Sequence, residues 1–199
     1  GVSRGIAGRG KCTLQAGSRI SALYAEGARL ICDGDLEIAD SLSHCEVLCQ
    51  GKADFTYRKG RIVGGTVLAT QGIEVKEVGT SAGVRTYLIL GLSREEYLQM
   101  QDLFRRMEDL RKEILKPGTD DLTKSRYQRL YDELEQQRIS LISAQRRDYQ
   151  GIEVVVHNHI YPPTLITIGP CNYAVTEPQS RVKFYLDSQS GSIVCQPLG

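Results

Sequence analysis

The stretch GIAGRGKC, Gly5 to Cys12, sets Gly5, Gly10 and Lys11 in the register of a phosphate-binding loop, G-x-x-x-x-G-K-[ST]. Cys12 stands where the magnesium-binding hydroxyl belongs. Such a loop needs a buried strand before it and a helix opening at its lysine, so that the helix N-terminus faces the phosphates. GVSR, ahead of Gly5, is too short for that strand. The residues after Lys11, CTLQAGSRISALYAEG, alternate and are broken by glycine, with no 3.6-residue period. No nucleotide site is expected, and Gly5, Gly8 and Gly10 read as corners of a first, irregular coil.

Three further clusters could hold chemistry. VHNHIYPP puts His157 and His159 on one face of a strand, a spacing that suits two metal ligands, but no third or fourth ligand lies nearby. HCEVLC offers His44, Cys45 and Cys49, and strand alternation turns His44 away from both cysteines. CDGDLE pairs Asp33 with Asp35, yet Asp beside Gly is ordinary turn chemistry. No G-x-S-x-G elbow and no H-E-x-x-H helix occurs. The six cysteines contain no C-x-x-C and read as reduced thiols. Neither a catalytic residue, a cofactor nor a metal is therefore expected.

The elements that would position any site divide the chain of 199 residues into three. Residues 1–91 carry most of the glycines, no proline, and apolar–polar alternation. Residues 92–150 are rich in Glu, Gln, Arg and Leu, and from 151 to 199 the alternation returns. The first part repeats itself: ARLICDGDLEI (28–38) matches CEVLCQGKADF (45–55) at an offset of 17. A third line, TVLATQGIEV (66–75), is placed at a further offset of 21, setting Leu68 in the column of Leu30 and Val47, and Gly72 in that of Gly34 and Gly51. Each line is a strand, a glycine corner and a second strand. Units this small bury an apolar face only by stacking, which is the logic of a β-solenoid. Cys32 and Cys49 then become inward neighbours that act as small apolar fillers.

The middle segment opens with a capping box, Ser93 and Glu96. Met100, Leu103, Met107, Leu110 and Ile114 come next at heptad spacing. PGTDD breaks the helix. A second helix is expected from about Leu122 to Gln150, with its seam on Tyr127, Leu130, Leu134, Gln137, Leu141 and Ala144. The two predict an antiparallel coiled-coil hairpin that projects as an arm. Its tip, at Pro117, Gly118, Asp120 and Asp121, is a candidate protein contact.

A net charge of +1 with no basic block excludes a nucleic-acid footprint. Runs such as TYLILGL fall far below the roughly 20 apolar residues of a membrane helix. No charged-then-apolar leader is present, so a cytoplasmic location is expected. The chain opens without a recognisable domain start and reads as a piece of something longer.

The order of parts resembles the flagellar assembly protein A (FapA) family, from about Gly10 to Leu198. KGRIVGGTVLATQG and IYPPTLITIG carry the likeness most specifically; Pro163 departs from a family form closer to Y-P-G. The resemblance implies a mainly β fold, a right-handed parallel β-solenoid (β-helix) whose last strands, including RVKFYLDSQSGSIV, return to cover the stack. The solenoid is also similar to the C-terminal domain of the division-site inhibitor MinC. The family implies a further N-terminal domain and a non-enzymatic bacterial scaffold, acting in flagellar assembly or placement through protein contacts. Solenoid ends must be capped or paired, which is compatible with a homodimer. The alternative is a module that binds a polysaccharide or other polymer along the solenoid face.

Overall fold

A computed structural model describes residues 4–118, 120–144 and 149–199. The chain separates into two compact units, one running through Leu92 and again from Tyr149, the other beginning at Ser93 and holding both helices.

The first unit is a β-solenoid of about four turns. Its strands are β1 (Ile6–Ala16), β2 (Ile20–Cys32), β3 (Leu36–Cys49), β4 (Lys52–Phe55), β5 (Arg61–Ala69), β6 (Gly72–Val78) and β7 (Thr86–Leu90), then β8 (Glu153–Ile160), β9 (Thr164–Ile168), β10 (Cys171–Val175), β11 (Gln179–Asp187) and β12 (Ser192–Pro197). Long strands such as β3 bend and serve more than one face. Because side chains alternate with period two, every second residue points inward. Parallel pairing stacks equivalent residues into columns. One column runs Leu30, Val47, Val67, Leu88, Ile166, and beside it Cys32, Cys49, Ala69, Leu90, Ile168. A second face stacks Ile20, Leu36, Ala53, Ile73, Val154. A third stacks Ala25, Leu42, Ile62, Val78, Ile160. All of these are buried and belong to one core, so the interior is filled by side chains.

The register corrects one expectation. Val47 pairs with Val67 and Ala53 with Ile73, so the third line lies at an offset of 20 rather than 21. Val67, not Leu68, continues the Leu30 column, and Gln71 rather than Gly72 sits opposite Gly51. A one-residue slip exchanges the two faces of a strand. The corner between Phe55 and Arg61 absorbs the three residues by which this coil exceeds the previous one.

Corners set the rest. Gly27, His44 and Gly64 occupy equivalent bends in successive coils, each left-handed, with φ of 55°, 50° and 68°. A Cβ on Gly64 would lie 2.8 Å from His44 Nδ1 and from Val84. Gly8 and Gly10 lie at the same corner of the first coil, and that corner is irregular, as the sequence suggests. They lie in a bulge of β1, where residues 8–11 oppose Gly27 alone. Strand, not helix, continues beyond Lys11, so the loop lacks the helix N-terminus a phosphate site requires.

After β9 the pairing turns antiparallel: β10 on β9, β11 on β8, and β12 on β11. Val175, Val182, Phe184 and Ile193 are buried beneath these strands, with Tyr173 tilted on Phe184 at 5.3 Å. These strands extend the pairing of β8 and β9 in the antiparallel sense.

The helices enter at one corner. Two or three residues turn the chain from Cys32 to Leu36, from Cys49 to Lys52 and from Ala69 to Gly72, whereas the equivalent step from Leu90 to Glu153 contains both helices. Tyr149 re-enters here, its ring filling the space that a Cβ on Gly91 or Gly169 would need.

In the second unit, α1 (Arg94–Leu115) opens on the predicted capping box, with Ser93 Oγ accepting from Glu96 N and Ser93 N donating to Glu96. The second helix, α2, spans Asp121–Ala144. Tyr149 and Gln150 are not helical, and the rest of the expected extension lies outside the described residues. Leu103, Met107 and Leu134 form a small core with Leu110, Tyr131 and Leu141 packed against it. On α1, Leu103, Met107 and Leu110 of the seam read from the sequence lie in this core, and Met100 and Ile114 do not. On α2, Tyr131 replaces Leu130 in the seam, while Leu130 and Gln137 are exposed.

The corner geometry is testable by chemical denaturation. Gly64→Val adds a β-branched side chain at positive φ against His44 and is expected to destabilise by about 2 kcal/mol or more. His44→Gly relieves the same strain and is expected to lie within about 1 kcal/mol of the parent, on the stabilising side. A neutral Gly64→Val would refute the equivalence of these bends.

Candidate functional site

The predicted chemistry separates rather than converges. His44 is exposed at its left-handed corner while Cys45 and Cys49 point inward. Cys32 and Cys49 are paired across β2 and β3 and fully buried as free thiols. Cys49 Sγ donates to the Gly34 carbonyl at 3.0 Å. The Cys32 thiol is pushed up by its hydrogen bond with Cys49 and by burial, and burial raises Cys45 as well. Cys32 and Cys45 therefore carry little thiolate at neutral pH, whereas the same Cys32 hydrogen bond lowers the Cys49 thiol; all three are filler positions by their burial. Asp35 accepts from Lys52 N across the glycine corner and faces Arg19 at 3.6 Å, and Asp33 lies in the same turn.

His157 and His159 share the outward side of β8, with a bulge between them: Val156 opposes Val75, and His159 opposes Glu77. Each goes to a different neighbour. His157 Nε2 lies 2.9 Å from Glu74, and His159 stacks on Tyr161 at 5.9 Å. Among the described residues no three His, Cys, Asp or Glu side chains gather as a metal set.

A network the sequence reading missed takes their place. Glu37, Asp54 and Glu74 stack in one outward column on adjacent strands, near enough for like charges to repel. Each is compensated separately. Arg19 bonds Glu37 at 3.2 Å, Asp54 accepts from Thr56 N and Oγ, and Glu74 takes both Lys52 Nζ and His157. Hydrogen bonds from Lys52, then from His157, hold the Glu74 carboxyl below its ordinary range. Arg29–Glu46 and Arg61–Glu77 repeat the scheme elsewhere on the coils. The signal was available once the offset of 20 is used, since that offset aligns Asp54 with Glu74.

Two surfaces hold recesses. On the solenoid, Ser21, Leu23, Glu37, Asp54, Tyr57 and Arg58 line a hollow of about 490 Å³, with Tyr57 88% exposed at its edge. On the helix pair, two adjoining hollows of about 520 and 360 Å³ share Arg106 and Gln137. The predicted tip residues Pro117, Gly118, Asp120 and Asp121 are all exposed. Asp120 Oδ1 accepts from Thr123 N at 2.9 Å and so caps α2, and the Thr123 hydrogen bonds lower its carboxyl pKa. Leu115 and Leu122, flanking the turn, are 71% and 84% exposed.

Stacked, side-chain-filled coils interrupted at one corner by a pair of helices define the class: a β-solenoid with a helical insertion. Within that class, the model of the FapA family, the Flagellar Assembly Protein A beta solenoid domain, matches residues 1–193. The chain belongs to that family. No curated protein and no solved structure matches it. No helix among the described residues is long and apolar enough to cross a membrane.

The buried thiols and the Glu74 network are each open to measurement. Alkylation of the native protein, read by peptide mass spectrometry, is expected to reach Cys12 and Cys171 well before Cys32, Cys45 and Cys49; early labelling of Cys32 would contradict a packed core. Glu74 has a depressed folded pKa, so its contribution is present above the unfolded value of about 4.3 and is lost as pH falls through the folded one. The stability difference between the parent and Glu74→Gln is therefore expected to be steady above about pH 5 and to shrink at lower pH. A difference independent of pH down to about 3 would remove the network from the stability balance.

Proposed function

We propose that this chain is a non-enzymatic scaffold of bacterial flagellar assembly or placement, acting through protein contacts in the cytoplasm. The family match over residues 1–193 carries the reading. The geometry supports it in kind. The solenoid interior is closed to ligands by its own side chains, so recognition falls to outer faces and to the helical insertion. On this reading α1 and α2 form an antiparallel coiled-coil hairpin. The Leu103–Met107–Leu134 core supports it, as do hollows that bring Leu98 and Leu103 to Leu141, and Glu113 to Leu130. The turn carries a contact made by Pro117, Gly118 and Asp121 with the exposed Leu115 and Leu122, while Asp120 is held by its cap. The partner is a protein, and a second copy of the chain is one form it takes.

A second reading has its own observation. The solenoid hollow joins Glu37, Asp54, Tyr57 and Arg58, a carboxylate–aromatic–guanidinium set that suits a polysaccharide or similar polymer.

In a flagellated bacterium that carries the gene, its deletion is expected to change flagellar number or placement. The intact gene restores it, and a version with residues 93–148 replaced by a short turn does not. Circular dichroism of the shortened chain, with its β signal retained, shows that the solenoid itself survives. Normal flagella in the deletion strain overturn the reading. Retention on an insoluble polysaccharide that Tyr57→Ala abolishes replaces it with the second.

A further inference from the structure

The two helices bury one seam and leave two flanks, and the flanks differ in charge. On the first, Leu103, Leu110, Leu134 and Leu141 form a floor on which Leu98 and Leu130 remain 38% and 39% exposed. Among the described residues that line the same recesses, Asp102, Asp109, Glu113 and Glu133 stand with one cation, Arg106, which lies 3.8 Å from Asp102. On the opposite flank, around Phe104, Met107 and Tyr131, two carboxylates face two guanidinium groups. There Glu135 and Arg138 form a doubly hydrogen-bonded pair.

The first flank therefore combines an apolar floor with an acidic rim. From Leu98 to Glu113 it runs about 22 Å at the α-helical rise, room for roughly four turns of another helix. Asp102, Asp109 and Glu113 do pair with Arg105, Lys112 and Lys116 along α1, at 2.7, 3.5 and 3.5 Å. Exposed pairs of this kind are weak and exchange readily for a partner's charges. A second copy docking by the same flank would set four carboxylates against four, which like-charge repulsion opposes.

Resting on the scaffold reading above, we propose that this groove between α1 and α2 docks a basic amphipathic helix of a partner protein. The partner's apolar face at i, i+3, i+4 and i+7 fills the leucine floor, and its Lys or Arg residues meet Asp102, Asp109, Glu113 and Glu133.

The test uses the full chain and a fluorescein-labelled 20-residue peptide of Leu, Ala and Lys at that spacing, with a second peptide carrying Glu in place of Lys. Anisotropy is expected to show saturable binding of the Lys peptide that weakens with salt, and at least about tenfold weaker binding of the Glu peptide. Asp109→Lys with Glu133→Lys, and separately Leu130→Glu, are each expected to weaken the Lys peptide by about tenfold or more. Phe104→Glu on the neutral flank is expected to change it by less than about twofold. All the substituted residues are exposed, and unchanged thermal melts confirm folding. Absence of binding, equal binding of the two peptides, or equal sensitivity to Phe104→Glu overturns the groove. So does self-association in sedimentation equilibrium that Leu130→Glu abolishes, which assigns the flank to a second copy. Failure here with the flagellar phenotype and its dependence on residues 93–148 intact removes the groove alone. Failure of both removes the scaffold reading.

Discussion

Parallel stacking with one inward residue per column per coil is the constraint on which the other features depend. Each rung adds a side chain of similar size directly above the last, about 4.8 Å away, so a column tolerates Leu, Val, Ile, Ala or Cys but not a charge. Cys32 and Cys49 belong to this logic. They stand in a column that starts at Ala16 and continues through Ala69, Leu90 and Ile168. Their chemistry is subordinated to their volume, and the mutual hydrogen bond and burial that raise the Cys32 thiol are consequences of that place. The same stacking, applied to the outward residues, brings Glu37, Asp54 and Glu74 together and forces the surface to supply Arg19, Lys52 and His157 as counter-charges. Core columns and surface ion pairs are two products of one register.

A stacked coil has freedom only at its corners, and variation is concentrated there. The bend shared by Gly27, His44 and Gly64 needs a left-handed residue, which explains a histidine whose neighbours in the column are glycines. The corner after Phe55 lengthens without disturbing the strands on either side. The corner after Leu90 takes the largest change, two whole helices, while β8 still pairs with β6 in the position the coil requires. Insertion at a corner costs the ladder little because loop-closure entropy rises slowly with length. Gly91, Gly169 and the Tyr149 ring then fix where the chain resumes.

This division also governs what was legible in the sequence. The offset of 17 between the first two lines shows a β-solenoid and the inward partnership of Cys32 with Cys49, because the glycine and the apolar columns coincide at that one offset: Leu30 with Val47, Cys32 with Cys49, Gly34 with Gly51. The next line, TVLATQG, follows a corner three residues longer, and like Val47, Leu48 and Cys49 before them, Val67, Leu68 and Ala69 are all buried. With both faces apolar, periodicity cannot choose a register, and aligning Gly72 with Gly51 brings in a one-residue error. The acidic column was hidden by that error. A similar ambiguity affects α2, where Tyr127, Leu130, Tyr131 and Leu134 satisfy two heptad frames. Leu103 and Met107 on the opposing helix select the frame through Tyr131, which strands Leu130 on the flank. The centre of the α1 seam, Leu103, Met107 and Leu110, was readable because one frame was available, while its ends at Met100 and Ile114 lie outside the core.

Leu130 marks the point at which structure bears on function. A filled solenoid offers a partner only its outer faces, and those faces are largely occupied by charges already compensated along the strands. The helix pair is different because two helices close one seam and leave both flanks open. A four-helix bundle would cover such flanks with its own chain; here each flank keeps an apolar floor at the surface. One flank balances its charges internally through Glu135 and Arg138, and the other lines its groove with more carboxylates than cations among the described residues, three of them paired to basic side chains along α1. The fold itself does not require this placement of carboxylates on the groove side, since the seam would close equally well over a balanced rim. An excess that folding does not need is consistent with a partner that supplies the opposite charge.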